Sequence, residues 1–263
     1  MKIVCISGNH SRHLYYLNEI SKKFEIEGSI IQSRENVLPT PPENISDGDR
    51  KNFMRHFQTR DEKEREYFGD QKYPNHDILE TQPELLNSEK SVKFLTEKKP
   101  DVVLVFGSDL IKEPLRNHLP NDSINLHLGI SPRYRGAACL FWSFYFLEPN
   151  LAGSTFHYLL SEPDAGEVIH QSLPELSETD GLHDVGCKTV LVSAQDICKL
   201  LEMRNGQNSW KRYKQKGTGK NFLSRDFRPE HLRLIYDLFD DKIVKEYLDG
   251  NILSNKMNFI KQF

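Results

Sequence analysis

Short apolar runs separated by turn-forming residues set the pattern at the start of the chain. Residues 2–7 form a β-rich apolar run that ends at Gly8, and apolar residues recur at helical spacings from 14 to 24. Residues 29–32 again favour a strand. A strand, a Gly-containing turn, a helix and a strand in this order indicate a βαβ unit and hence a parallel sheet.

The same pattern returns in the middle of the chain. A helix near 89–98 precedes residues 101–107, whose nearly continuous apolar run is typical of a buried parallel strand. A short helix near 111–118 then leads into a strand over 123–129. These elements extend the predicted sheet.

One apolar segment, two strands and a long helix follow. Residues 137–147 are apolar all round, and their length and the small residues at their start favour a helix over a strand. Residues 153–160 alternate in polarity as a strand does, and 166–173 are suited to pair with them. A long amphipathic helix should cover about 180–204.

A different pattern marks the stretch from 33 to 90. Three prolines break the chain between 39 and 42, and the mostly charged residues 60–68 predict a solvated helix. We interpret 33–90 as an insertion in the sheet-forming part of the chain.

The tail also differs from the rest. A Gly/Lys-rich link at 214–220 precedes a helix near 229–240 and a short element around 242–248. The sequence therefore predicts an α/β domain over 1–205 and a C-terminal helical extension over 206–263.

Composition narrows the class of protein. The chain has 37% hydrophobic and 28% charged residues, a net charge of −3 and a pI near 6.4. Because binding to a phosphate backbone normally shows as a basic surplus or a clustered basic face, nucleic acid is disfavoured as the main partner. Met1 leads directly into the first predicted strand, and no apolar run approaches the ~18 residues that span a bilayer. We expect a soluble, cytoplasmic protein without a membrane partner.

Several familiar kinds of site are not indicated. The four cysteines are far apart without a CxxC pair, and the histidines lack spacings such as HExxH, so no metal is expected. The first turn has neither GxGxxG nor a Walker lysine, which argues against NAD and ATP. No GxSxG elbow occurs either, so covalent nucleophilic catalysis is disfavoured.

Two polar side chains fall near the end of a strand that should be buried. Asn125 and His127 are two residues apart on the predicted strand, so both point to the same face. Open α/β sheets bind ligands at the carboxyl ends of their strands, and a Gly/Pro-containing loop follows here. A lone histidine is more often a satisfied core residue, but this pair in this position favours a functional site.

An aspartate in a later loop is a weaker candidate. Asp164 follows Pro163 and precedes Ala165 and Gly166, in the loop that joins two predicted strands. An Asp in such a place is most often an ordinary turn former. Its function depends on whether the fold returns it to the Asn/His pair.

The strand-to-helix turn 7–13 is a candidate anion site. Asn9 or Ser11 is suited to cap the following helix, and the free backbone N–H groups of such a turn attract anions, here with help from Arg12. A plain helix cap is an equal alternative.

At these residues the sequence resembles the formyltransferases that use N10-formyltetrahydrofolate. That family includes glycinamide ribonucleotide, methionyl-tRNA and sugar N-formyltransferases. Its Asn-x-His signature, followed by a loop and an Arg-Gly pair, reads Asn125-Leu126-His127 and Arg135-Gly136 here. Its Asp-x-Gly loop reads Asp164-Ala165-Gly166. The resemblance covers roughly residues 1–32 and 90–205.

The resemblance implies a Rossmann-like α/β fold, with a mostly parallel central sheet flanked by helices, and a catalytic role for three residues. His127, as an imidazolium, and the Asn125 amide would donate hydrogen bonds to the oxygen of the attacked formyl group. Asp164 would raise the pKa of His127 and help remove the proton of the amine. The loop 106–111 is similar to the family's pterin-holding loop. The folate-binding candidates are Phe106, Ser108, Asp109, Leu110, Ile111 and Asp164.

The acceptor amine is less determined. The tail over 221–248 is similar to the ending of bacterial formyltransferases linked to surface-polysaccharide sugars, and 206–263 is too short and too helical for the C-terminal barrel of the tRNA enzyme. We therefore expect an amino sugar carried on a nucleoside diphosphate, as in lipopolysaccharide biosynthesis. The acceptor-binding candidates are Asn9, Ser11, Arg12, Arg133, Tyr134 and Arg135.

Other acceptors and one other class of function stay open at this point. The amine of a ribonucleotide, of methionyl-tRNA or of a siderophore precursor would suit the same chemistry. A formyl-folate hydrolase or a folate-binding protein would need no acceptor at all. A homo-oligomer is also compatible with the sequence.

Overall fold

A twisted central sheet organises the protein, whose computed structural model describes residues 1–34, 38–206, 209–217 and 219–263. The strands are β1 (Ile3–Gly8), β2 (Ile26–Gln32), β3 (Ile78–Thr81), β4 (Val102–Phe106), β5 (Asp122–His127), β6 (Tyr134–Gly136), β7 (Ser154–Tyr158), β8 (Val168–Ser172) and β9 (Lys220–Phe222). The helices are α1 (Ser11–Ser21), α2 (Asp47–Phe68), α3 (Glu89–Lys98), α4 (Cys139–Tyr145), α5 (Leu182–Gly206) and α6 (Ile243–Leu248).

The sheet is mostly parallel, as predicted. Over the described ranges its order is β3-β2-β1-β4-β5-β7-β8. The first five of these strands are mutually parallel, and β7 and β8 add an antiparallel edge. Every residue of β1 and β4 is buried, which explains why both strands are apolar on both faces.

Alternation along the central strands divides the core between the two faces of the sheet. Ile3 and Cys5 of β1 pack with apolar residues of α1 and α5, whereas Val4 and Ile6 pack with apolar residues of α3. The expected arrangement of an α/β sheet flanked by helices is confirmed. No helix over the described ranges is long and apolar enough to cross a membrane.

The stretch 33–90 contributes to the sheet as well as to its surroundings. β3 pairs with β2 and forms the edge of the central sheet, and the 22-residue helix α2 extends beyond the predicted helix at 60–68. Residues 33–90 therefore include one strand of the central sheet. Residues 35–37 of this stretch, and Thr218 of the predicted link 214–220, lie outside the described residues.

Three predictions of helix were wrong in part. Only Leu115–His118 of the predicted helix 111–118 is helical, as one 3₁₀ turn, because Pro114 restricts the residue before it. The predicted helix 229–240 is a 3₁₀ turn followed by a short π-helix, Leu234–Leu238. The extension 206–263, of which 207, 208 and 218 are not described, contains the strand β9 in addition to helices.

A second apolar core joins the tail to the rest of the protein. It combines Trp142 of α4 and Phe53 of α2 with Phe222 and Ile235 of the tail. Arg233 donates two hydrogen bonds of 2.6 Å to the Asp49 carboxylate, which ties the tail to the start of α2. The tail is thus packed against the sheet-forming part.

Candidate active site

The end of β5 holds the Asn/His pair at the floor of a cleft. Asn125 and His127 lie on one face of the strand, and β7 runs antiparallel beside them. The register places His157 of β7 directly opposite Asn125. Residues paired in this way share a face of the sheet, so His157 joins the pair. Sequence analysis missed this residue, and a prediction of the β5–β7 register would have found it.

Asp164 approaches these three side chains from the loop after β7. Its Oδ2 lies 3.3 Å from His127 Nδ1, and its Oδ1 lies 3.2 Å from His157 Nε2 and 3.5 Å from Asn125 Nδ2. Asn125 Nδ2 is also 3.2 Å from His157 Nε2. The sequence-predicted residues Asn125, His127 and Asp164 are therefore brought together.

Backbone contacts fix the aspartate in this position. Its Oδ2 accepts a 2.8 Å hydrogen bond from the Gly136 N–H, and its carbonyl accepts a 2.7 Å bond from Gln215 Nε2. Asp164 has a left-handed backbone with φ of 51°, which aspartate tolerates better than most residues. At Gly166 a Cβ would lie 1.7 Å from the Tyr158 carbonyl oxygen, so the loop needs glycine there.

Burial and hydrogen bonding act in opposite directions on the aspartate. Burial favours the neutral acid, but His127, His157 and the Gly136 N–H together hold the pKa of Asp164 well below its usual range. Asp164 is therefore a carboxylate at neutral pH.

Asp164 was expected to raise the pKa of His127, and its charge acts in that direction. Burial lowers the pKa of His127 below 6.5 and outweighs the opposing attraction of Asp164. His127 Nε2 lies 3.0 Å from the Tyr134 carbonyl oxygen, so both ring nitrogens face hydrogen-bond acceptors. The ring orientation is fixed by these two contacts, each of which suits an N–H donor.

The cleft around these residues has a volume of about 910 Å³. Its lining includes the folate-binding candidates Phe106, Ser108, Asp109, Leu110, Ile111 and Asp164. The neighbouring lining residues Leu159 and Leu160 make this part of the cleft largely apolar.

Polar contacts hold the loop 106–111 in place. Gln32 accepts a 2.8 Å hydrogen bond from the Asp109 N–H and donates one of 2.9 Å to its carboxylate. Arg34 lies 2.9 Å from the same carboxylate and donates hydrogen bonds of 3.1 and 2.9 Å to the Gly107 carbonyl. Contacts within the protein itself thus hold the loop.

The candidates in the first turn have different surroundings from those expected. Arg12 lines the cleft and lies 2.5 Å from Glu64 of α2. Neither Asn9 nor Ser11 is part of the cleft lining, and His10 occupies the cap position but does not cap the helix through its side chain. The Asn9 side chain instead accepts a hydrogen bond from the Arg34 N–H.

The candidates Arg133, Tyr134 and Arg135 do not line the cleft. Arg133 donates two hydrogen bonds of 2.6 Å to the buried Glu148 carboxylate, and the Tyr134 hydroxyl donates to the same group. A buried carboxylate requires such partners, which explains their position. Arg135 lies 3.7 Å from Glu162.

Other segments that line the cleft were not assigned to it from the sequence. α2 contributes His56, Phe57, Arg60 and Glu64, and α5 contributes His183 near its start. The tail contributes Asn221–Ser224 and Phe227. Residues 56, 57, 60 and 64 follow helical spacing and so lie on one side of the charged helix. This spacing is the signal in the sequence that could have indicated that this side faces the cleft.

Metal binding is not indicated by the side chains. Within the described ranges, no group of three or more His, Cys, Asp or Glu residues is arranged to hold a metal ion.

Known proteins similar to this chain share its fold over different lengths. A methionyl-tRNA formyltransferase of Bacteroides fragilis is 32% identical over 128 residues, which make up 49% of this chain and 39% of the relative. The match therefore spans less than half of that curated relative. The phosphoribosylglycinamide formyltransferase of Anaplasma phagocytophilum has a TM-score of 0.55 at 17% identity, covering 85% of this chain and 97% of the other.

A third relative matches over nearly all of both chains. The formyltransferase PseJ of Anoxybacillus kamchatkensis, solved in complex with UDP-4,6-dideoxy-4-formamido-L-AltNAc and tetrahydrofolate, has a TM-score of 0.53 at 19% identity. The match covers 93% of this chain and 97% of that one. At this identity the likeness shows a shared fold.

The family assignment rests on sequence over most of the chain. The family model described as formyl transferase matches residues 2–195, which hold the Asn125, His127 and Asp164 cluster and the cleft-lining loop 106–111. Together with the mostly parallel sheet, this match shows that the chain belongs to the formyl transferase family.

Proposed function

We propose that this protein transfers the formyl group of N10-formyltetrahydrofolate to the primary amine of a nucleotide-linked amino sugar. The observation that carries the proposal is the meeting of Asn125, His127 and Asp164 at the floor of a large cleft. These groups are an amide donor, an imidazole and a carboxylate, which suit the transfer of an acyl group without a covalent enzyme intermediate.

The part of the cleft beside β4 fits the folate. A flat, partly apolar ring matches walls made of Phe106, Leu110 and Leu159, and polar backbone groups of the loop 106–111 are available at the edge. Asp164 belongs to the same lining, so a formyl group carried by that folate would lie near the catalytic residues.

The three residues have different roles in the proposed reaction. Bound formyl folate supplies an electrophilic carbon whose oxygen gains negative charge as the amine attacks. Asn125 Nδ2 is a neutral donor for that oxygen, and His127 adds an N–H donor whose protonated form the Asp164 carboxylate stabilises. Asp164 accepts the amine's proton, directly or through a water, as the new carbon–nitrogen bond forms. The same proton passes to N10 as the bond between N10 and the formyl carbon breaks, so tetrahydrofolate leaves neutral.

Support for a sugar nucleotide as acceptor comes from similarity to a solved structure. PseJ, whose structure contains a UDP-linked formamido sugar, is similar over nearly the full length of both chains. An alternative acceptor, methionyl-tRNA, is favoured by the 32% identity to the Bacteroides fragilis enzyme over about half of this chain. The net charge of −3 argues against tRNA.

A direct test is an acceptor panel with N10-formyltetrahydrofolate. UDP- and dTDP-linked amino sugars, glycinamide ribonucleotide and methionyl-tRNA are incubated with the enzyme, and products are followed by mass spectrometry. We expect addition of one formyl group to an amino sugar nucleotide, and no product with Asp164→Asn. Formylation of methionyl-tRNA alone would overturn the acceptor, and folate release without any acceptor would indicate a hydrolase.

A further inference from the structure

One face of α2 forms a wall of the cleft away from the folate loop 106–111. His56, Phe57, Arg60 and Glu64 recur at spacings of three and four residues and all line the cleft. If the folate occupies the part beside β4, this wall is available to the acceptor. A role for the wall in acceptor binding therefore rests on the proposed function.

Arg60 is the unusual residue of this wall. Among the described residues it makes no ion pair and no side-chain hydrogen bond, whereas Arg12 pairs with Glu64 at 2.5 Å and Lys63 with Asp184 at 3.0 Å. Its guanidinium lies 4.8 Å over the Phe57 ring. Burial and the nearby charge of Arg12 lower the pKa of Arg60 and outweigh the opposing attraction of Glu64 and Asp61.

The polar groups beside Arg60 are neutral donors. His183 Nε2 lies 3.2 Å from His56 Nδ1, which is 3.0 Å from the Tyr236 hydroxyl. Burial and the charge of Arg60 lower the pKa of both histidines, that of His183 to about 3. Both imidazoles are therefore neutral at pH 7 and add no negative charge to balance Arg60.

Aromatic rings strengthen the attraction of this region for an anion. Phe227 packs 4.9 Å from Phe141 and 6.3 Å from Phe57, and all three rings line the cleft. Apolar walls exclude water and lower the local dielectric, so a charge brought here interacts more strongly with Arg60.

We infer that Arg60, with Arg12 beside it, binds a phosphate group of the acceptor, which lies along α2 with its amine directed to Asp164. Arg12 of α1, Arg60 and His56 of α2 and His183 of α5 all line this cleft. A tetrahedral phosphate accepts hydrogen bonds from several directions, whereas a carboxylate accepts in one plane. The acceptor is thus a phosphate or diphosphate ester, and a carboxylate-bearing amine is disfavoured.

The test is calorimetric titration of inorganic pyrophosphate and UDP, without folate, with malonate as the carboxylate probe. We expect Arg60→Gln to weaken binding of both phosphate probes about tenfold or more, because a charge-assisted contact is lost. Arg60→Lys keeps the charge but not the planar fork, so its affinity should be intermediate. Malonate should bind more weakly than pyrophosphate to the wild type.

The matched control is Arg65→Gln on the same helix. Arg65 is exposed, pairs with Asp61 and does not line the cleft, so its variant should bind pyrophosphate within about twofold of the wild type. Thermal melting of each variant verifies folding, and Arg60→Lys serves if Arg60→Gln does not fold. Wild-type affinity in the folded Arg60 variants, no pyrophosphate binding by the wild type, or preference for malonate would each overturn the inference.

A second titration distinguishes failure of the proposed function from failure of the inference about Arg60. 5-Formyltetrahydrofolate is titrated separately against the same variants and should bind each of them like the wild type. A protein that binds pyrophosphate through Arg60 but neither binds this folate nor transfers formyl groups would contradict the proposed function alone.

Discussion

At the scale of single residues, Asp164 is the centre of the candidate site. Its two carboxylate oxygens contact Asn125, His127, His157 and the Gly136 N–H, and its pKa is held low enough to keep it charged. A carboxylate with so many donors orients several groups at once. Its removal should therefore affect both the proton transfer and the orientation of the imidazoles in the proposed reaction.

We expect Asn125→Ala, His127→Ala and Asp164→Ala each to abolish formyl transfer while folate affinity stays within a few fold. Loss of one oxyanion donor alone typically costs about 10²–10³ in rate. Steady-state rates and 5-formyltetrahydrofolate titration measure the two effects. Asp61→Asn, exposed on α2, is the control and should behave as the wild type. A near-normal rate in any of the three variants would remove that residue from the mechanism.

Local sequence predicted some of these residues and not others. The two-residue spacing of Asn125 and His127 was sufficient to place them on one face of a strand, and Asp164 followed from the family's motif. His157 depends on strand register, and the position of Arg133 depends on Glu148, a partner in another segment. Such long-range contacts are not visible in local patterns.

At the scale of elements, the two-stranded sheet β6–β9 connects the tail to the site. Gly136 of β6 pairs with Phe222 of β9, whose ring stacks 4.6 Å from that of Trp142. The sequence predicted a helical tail because a three-residue strand has too few residues for a periodic pattern. The charged residues of α2 likewise predicted a helix that faces solvent, whereas part of this helix faces the cleft.

Gly136→Ala should disrupt this connection. Gly136 has a φ of 85°, and an added Cβ would lie 2.2 Å from the Phe222 carbonyl oxygen. We expect a loss of about 1–3 kcal/mol in the free energy of unfolding. A marked fall in kcat should accompany it, because the Gly136 N–H no longer holds Asp164. Chemical denaturation and steady-state kinetics measure these effects.

Gly186→Ala is the matched control and should change the free energy of unfolding in the opposite direction. Gly186 lies inside α5, and its added Cβ would make only an ordinary contact of 3.6 Å with Leu140. Alanine's higher helix propensity should stabilise the protein by about 0.5–1 kcal/mol. Equal effects of the two substitutions would contradict the requirement for glycine at 136.

At the scale of the whole molecule, the second apolar core packs α2, α4 and the tail against one another. Buried titratable groups lie beside this core. His183 is 7% exposed, and burial lowers its pKa to about 3. Unfolding returns this pKa to about 6.5. Between these values the unfolded chain binds a proton that the folded protein does not, so this group destabilises the fold as pH falls from 6.5 towards 3.

We expect the wild type to lose stability relative to His183→Gln below pH 6.5, by up to about 1.4 kcal/mol per pH unit. Urea denaturation at several pH values measures this difference. The comparison with a variant is needed because burial raises the pKa of Asp241 to about 6, which gives an opposite pH dependence. His118→Gln, at an exposed position, is the control variant. A constant difference for His183→Gln would contradict the expectation.

The pairing of Gly136 with Phe222 also bears on how the protein is made. The ribosome synthesises every strand of the central sheet before it reaches β9, so β6 has no partner while the rest of the sheet can already fold. Gln215, which holds the carbonyl of Asp164, emerges equally late. A nascent or prematurely terminated chain would therefore lack the Gln215 contact to Asp164 and the strand pairing of Gly136.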